Sequence, residues 1–226
     1  MIRDAAATTL PALAVLGASF SYGTGAESPA QAWPQVLAAA LGLRAVVAAE
    51  PGAGYLAVGA HGRGPMARLL PELGLARLRP ALVIVQSGHN DIDQPEPMLR
   101  VAVERLIGQI QAESPGAAIG VLTVFPTGDH PAKSVWDTDA AIVAAARAAD
   151  PQVSVFDPLA AGWHFPRLAD GLHPTAAGHR WIAEQLAEQI RADGLLSNTE
   201  PARPVTAADK LATQSHTDRP THPIHS

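Results

Sequence analysis

The chain has 226 residues, 47% of them hydrophobic and 16% charged, enough to bury one sizeable α/β core with a tail to spare. It has no cysteine, which excludes disulfides, thiolate metal sites and cysteine nucleophiles. The net charge of −5 comes without any long run of one sign, and no window approaches the roughly 18 apolar residues of a membrane span, so nucleic acid and membrane are not the expected partners.

Leu10 to Leu16, apolar apart from Pro11, reads as a first, buried strand. Its apolar run and Arg3 resemble a secretory signal in outline, but Asp4 lies in the basic region, Pro11 interrupts the run, and cleavage near Ala18 would cut beside Ser19. The expected location is therefore cytoplasmic. A helix is predicted over Pro29 to Leu41, with Ser28 as N-cap and Gly42 past its end. A second strand over Leu43 to Ala49 leads into the turn Glu50-Pro51-Gly52-Ala53-Gly54-Tyr55. Pro65 to Leu78 reads as helical in part, interrupted by Pro71 and Gly74. The unbroken run Ala81 to Val85 suits a parallel strand covered on both faces, and it stops at Gln86-Ser87-Gly88-His89-Asn90-Asp91.

An amphipathic helix follows over Pro97 to Glu113, striped by Leu99, Val103, Leu106, Ile107 and Ile110. A fourth strand over Ala117 to Val124, a helix over Val135 to Ala149, a short strand over Val153 to Phe156 and a last helix over Pro174 to Ala192 complete the pattern. Strands alternating with helices predict a three-layer α/β/α sandwich on a mainly parallel five-stranded sheet, spanning 1–196. The stretch 197–226, with His216, His222 and His225, reads as a solvated tail rather than a metal site.

Three places carry candidate chemistry. Ser19 follows a strand end, where open α/β sheets line their binding crevice, although a serine among glycines is far more often just a turn residue. In Asp170-Gly171-Leu172-His173-Pro174, a carboxylate three residues before an imidazole can hold its tautomer while the other nitrogen meets a hydroxyl. The same spacing also fits a loop-holding Asp170 and a surface His173. Asn90, at the end of the best strand, and the backbone N–H groups of Gly52 and Ser19 can supply donors to a developing negative charge. As plain structure they are cap and turn residues. Ser21 and Ser87 lie in no comparable pattern, and the Gly-x-Ser-x-Gly elbow of the α/β-hydrolase fold does not occur. His61, His130, His164 and His179 read as structural or surface residues, and Asp91 and Asp157 as loop braces.

Four blocks in order, Gly17-Ala18-Ser19 with Gly23, the Gly52 turn, Gly88-His89-Asn90-Asp91 and Asp170-Gly171-Leu172-His173-Pro174, resemble the SGNH hydrolases, the GDSL esterase and lipase superfamily. The resemblance runs from about Leu10 to Leu196. It implies a flavodoxin-like fold, Ser19 as nucleophile, His173 as base, Asp170 as its orienter, and Ser19, Gly52 and Asn90 as the oxyanion hole. It implies no metal and no organic cofactor. Where the family has Asp before the serine, this chain has Ala18, and Gly54 competes with Gly52 as donor. Phe125, Trp163 and Phe165 are candidates for the substrate pocket, with core packing as their alternative. The expected activity is hydrolysis of small acyl esters, acetyl or short-chain, through an acyl-enzyme. Alternatives are acyl transfer with the same triad, a non-catalytic flavodoxin-like ligand-binding module, and metal-assisted hydrolysis by the histidines.

Overall fold

The apolar runs separate cleanly into strands because their side chains are small or β-branched and can be covered on both sides. A computed structural model describes residues 10–128 and 130–196. The expectations for residues 1–9 and for the tail, with His216, His222 and His225, concern positions outside the described residues.

Strand β1 (Ala12–Gly17) is followed at once by a single helical turn, α1 (Ser19–Tyr22). Helix α2 (Trp33–Ala40) precedes β2 (Arg44–Ala49). Short helices α3 (Met66–Leu69) and α4 (Leu75–Leu78) flank a tight turn over Leu70–Leu73 and lead to β3 (Leu82–Gln86). The rest is α5 (Glu96–Glu113), β4 (Ala118–Leu122), α6 (Lys133–Ala149), β5 (Ser154–Phe156) and α7 (Ala176–Ala192). All strands are parallel, in the order β2-β1-β3-β4-β5. The chain thus leaves β1 for one edge and then crosses back past it, which opens a crevice between the carboxyl ends of β1 and β3.

Alternation along each strand feeds two cores. Leu13 and Val15 of β1 and Leu82 and Ile84 of β3 pack with Trp33, Leu37, Ile182, Leu186 and Ile190 of α2 and α7. Ala14, Leu16, Val83 and Val85 face the other side, against Val103, Leu106 and Ile110 of α5 and Ile142 of α6. Each such aliphatic side chain contributes about 1.5–3 kcal/mol by leaving water.

The predicted helix over Pro29 to Leu41 is broken. A single turn at Pro29–Gln31 gives way to extended backbone at Ala32, and α2 begins at Trp33. Pro34 explains this, since proline fits the first helical turn but would remove a hydrogen bond and clash inside a continuous helix. Ser28 makes no side-chain cap bond.

Asp139 of α6, only 4% exposed, accepts from the Val124 N–H at 3.1 Å and so holds the chain as it leaves β4. Burial above all, with Asp157 adding to it, pushes its carboxyl up to about 6 against the pull of Thr123 and the Val124 N–H. The folded state therefore favours the protonated acid. Its stabilising contribution is full below the unfolded value near 3.9 and is lost as pH rises through about 6. Asp139→Asn keeps an acceptor without the charge. It should raise Tm at alkaline pH by about 2–4 °C and flatten the stability profile between the two values. Thermal melts across pH check this, and an unchanged profile would contradict it.

Candidate active site

Three adjacent strand ends bring the candidate residues together. Ser19 lies two residues beyond β1, Gly52 three beyond β2 and Asn90 four beyond β3, and these strands are neighbours in the sheet. His173 arrives from the far end of the chain on a loop just before α7. Leu168 N–H donates to His173 O at 2.8 Å and Thr175 N–H to Pro166 O at 3.0 Å, closing that loop on itself. The Thr175 hydroxyl then accepts from Gly178 N–H at 3.3 Å and starts the helix. Arg167 ties the loop to the next strand end by donating to Pro126 O at 3.1 Å.

His173 Nε2 lies 2.9 Å from Ser19 Oγ, and Nδ1 lies 2.7 Å from Asp170 Oδ2. A carboxylate can only accept, so Nδ1 carries the proton and Nε2 presents its lone pair to the serine hydroxyl. The other carboxylate oxygen accepts from the N–H groups of Leu172 at 2.9 Å and His173 at 3.0 Å. The bond to His173, then these two amides, pull the Asp170 carboxyl down to about 2. It is a carboxylate throughout the ordinary pH range, able to steady an imidazolium beside it.

The candidate donors follow the ends of neighbouring strands. Ser19 opens α1, so its N–H has no helical acceptor, and it and the Gly52 N–H donate to no described group. Asn90 Nδ2 donates one proton to Ala53 O at 2.8 Å, which ties the side chain to the Gly52 turn and leaves its second N–H. The competing donor is already used, since Gly54 N–H donates to Ala57 O at 2.9 Å. A Cβ at Gly54 would also collide with the Asp91 carboxylate, which accepts from Tyr55, Leu56 and Ala57 N–H at 2.7, 2.9 and 3.1 Å. Gly54 is thus part of a brace.

Behind the same turn, the buried Glu50 accepts from His61 N–H at 2.6 Å and approaches His61 Nδ1 at 3.2 Å and Arg63 at 3.3 Å. Burial pushes its carboxyl up, but His61 and Arg63 together hold it below the usual range. The buried His179 accepts from Trp33 N–H at Nδ1, 3.3 Å, so Nε2 carries the proton it donates to Thr24 O, 3.0 Å. Burial chiefly keeps it neutral, as it does His89 beside Asn90.

The candidate pocket aromatics are buried. Phe125, Trp163 and Phe165 are 1%, 4% and 2% exposed and belong to the core under α7. Phe125 stacks on Phe20 with centroids 4.3 Å apart, and Trp163 meets Trp181 edge-on at 5.5 Å. Partners distant in sequence hold all three in the core, and Phe20, which packs on Phe125 and Phe165, reaches His173 with centroids 5.7 Å apart. Among the described residues no group of histidines and acids is arranged to hold a metal, and no helix is long and apolar enough to cross a membrane. Sequence reasoning missed Gln86, whose buried Oε1 meets Ala18 N–H at 3.3 Å and the Ser21 hydroxyl at 2.9 Å.

A parallel sheet of this order, with hydroxyl, imidazole and carboxylate linked at its switch point, defines a hydrolase of the SGNH esterase type. The chain belongs to the GDSL-like lipase/acylhydrolase family, whose model matches residues 15–181. It is 33% identical over 195 residues to a GDSL lipase of Mycobacterium tuberculosis, covering 79% of this chain and 80% of the relative. The fold resembles that of a family two carbohydrate esterase from Clostridium thermocellum in complex with cellohexaose, at TM-score 0.65 and 19% identity, covering 83% of this chain. This chain spans about two thirds, 66%, of that protein's length. A carbohydrate acetylesterase from Sinorhizobium meliloti superposes at TM-score 0.63 with 18% identity, covering 80% of this chain and 99% of that one.

Proposed function

We propose that the protein is a serine esterase that hydrolyses small acyl esters through an acyl-enzyme on Ser19. One observation carries this reading: the Ser19 hydroxyl faces a bare imidazole nitrogen at 2.9 Å while the opposite nitrogen is held by a carboxylate at 2.7 Å. Ser19 Oγ attacks the ester carbonyl carbon as its proton passes to His173 Nε2. The carbonyl oxygen takes the negative charge and is met by the N–H groups of Ser19, Gly52 and Asn90. Collapse expels the alkoxide, which takes the proton from Nε2. Water then gives a proton to Nε2 as it attacks the acyl carbon, and collapse breaks the acyl–Oγ bond, releasing the acid while Ser19 Oγ takes the proton back from Nε2.

Burial of Phe125, Trp163 and Phe165 in the core supports a small acyl group over a long chain. An acylated carbohydrate is the favoured alcohol component, by likeness to the carbohydrate esterases above. A fluorophosphonate probe should label one serine, Ser19, and peptide mass mapping should place it there. Labelling should disappear in His173→Ala. An unlabelled protein that still turns over p-nitrophenyl acetate, or a label on another serine, would overturn the reading.

A further inference from the structure

We propose that Gln86 is a positioning residue for the serine nucleophile, acting through the Ala18 N–H on one side of Ser19 and the Ser21 hydroxyl on the other; this rests on the reading of Ser19 as nucleophile. The residue ahead of Ser19 is Ala18, so the loop has no polar side chain of its own there to hold it. Gln86, the last residue of β3, is paired in register with Gly17, the last residue of β1. Its side chain therefore stands beside the point where the chain turns into α1. Its Oε1 has two lone pairs, and both meet buried donors: Ala18 N–H at 3.3 Å and Ser21 Oγ–H at 2.9 Å.

Ala18, Ser21 and Gln86 are 3%, 2% and 2% exposed, so water is not at hand to replace the shared acceptor. Gly17 completes the device. A Cβ there would collide with Ser21 Oγ and approach Gln86 Oε1 to 3.3 Å, so only glycine lets the three groups close up. The residues one before and two after Ser19 are thus clamped to one atom on the central strand. The same clamp sets where the Ser19 N–H and Oγ point, and misplacing a reacting group by about 1 Å costs on the order of 10²-fold in rate.

Gln86→Met keeps the length of the side chain and removes the acceptor. Its kcat for p-nitrophenyl acetate, per folded molecule, should fall about 10–100-fold with KM within about threefold, and its rate of fluorophosphonate labelling should fall by the same factor. A strut that merely held the fold together would lower Tm and leave kcat of the folded fraction alone. In a Ser21→Ala background only one donor is left orphaned, so Gln86→Met should cost less there than in the wild type. If Gln86→Met does not fold, Ser21→Ala alone should still lose roughly threefold in kcat at unchanged KM. A kcat within twofold of wild type in folded Gln86→Met, equal costs in the two backgrounds, or an unaffected Ser21→Ala overturns the proposal. Ser19→Ala separates the two readings: if it stays active the nucleophile assignment fails, and if it is inert while Gln86→Met is normal only the positioning role fails.

Discussion

Ser19→Ala and His173→Ala are each expected to lower kcat for p-nitrophenyl acetate by about 10⁴-fold or more while the fold persists. Neither side chain is fully buried, although the His173 ring lies tilted 5.7 Å from Phe20. The His173 side chain is 20% exposed, so its ring nitrogen can turn to water when the serine hydroxyl is removed. The loop that carries it is closed by backbone bonds from Leu168 and Thr175, which an alanine at 173 leaves in place. Ser19→Ala gives up one hydrogen bond and His173→Ala two, so Tm should fall by about 2–4 °C in the first and up to about twice that in the second, with the transition still cooperative. In the proposed mechanism the two groups act on one proton, so the double variant should be hardly worse than either single one. Rates from the purified variants, with circular dichroism to verify folding, decide the matter. Turnover near the wild-type level in either variant would move the chemistry to another group.

The runs that build the sheet centre were legible because they are apolar without interruption, as in Leu82–Val85, and α5 because its stripe repeats at helical spacing. The neighbourhood of Ser19, Gly52, Asn90 and His173 followed from motif order, since parallel strands deliver their carboxyl ends to one edge. Other features depended on partners that the sequence does not order. Whether Gly52 or Gly54 keeps a free N–H turns on Ala57 O, which only the folded loop brings to Gly54. Phe125, Trp163 and Phe165 sit close in sequence to loops of the site, yet Phe20 and Trp181 decide which way they pack. Nothing in the sequence around Gln86 separates it from an ordinary strand-end polar residue, and its burial depends on Gly17 leaving room across the strand pair. Pro34 did signal a helix start, but the earlier Ser28-Pro29 pair offered the same signal first.

Asn90→Ala should lower kcat by about 10²–10³-fold with KM little changed, because its donor is called on only when the carbonyl oxygen becomes an oxyanion. Asn90 also holds Ala53 O, so collapse of the Gly52 turn has to be separated from loss of the donor. That turn has its own supports: Ala53 N–H to Glu50 O at 3.1 Å, Ala60 N–H to Pro51 O at 2.7 Å, and the Asp91 carboxylate on the N–H groups of Tyr55, Leu56 and Ala57. Losing one further hydrogen bond costs about 1 kcal/mol, a fall of about 2–4 °C in Tm, and leaves the turn standing. Asn90→Asp is expected to be worse than alanine in both respects. Its carboxylate would face the Ala53 carbonyl and then the oxyanion, repelling both. Fluorophosphonate labelling should slow in step with kcat in each variant, because the phosphonyl oxygen needs the same donors. If Asn90→Ala kept its kcat while Asn90→Asp lost it, the amide would be a spacer for the turn, and the two backbone N–H groups would have to hold the oxyanion without it.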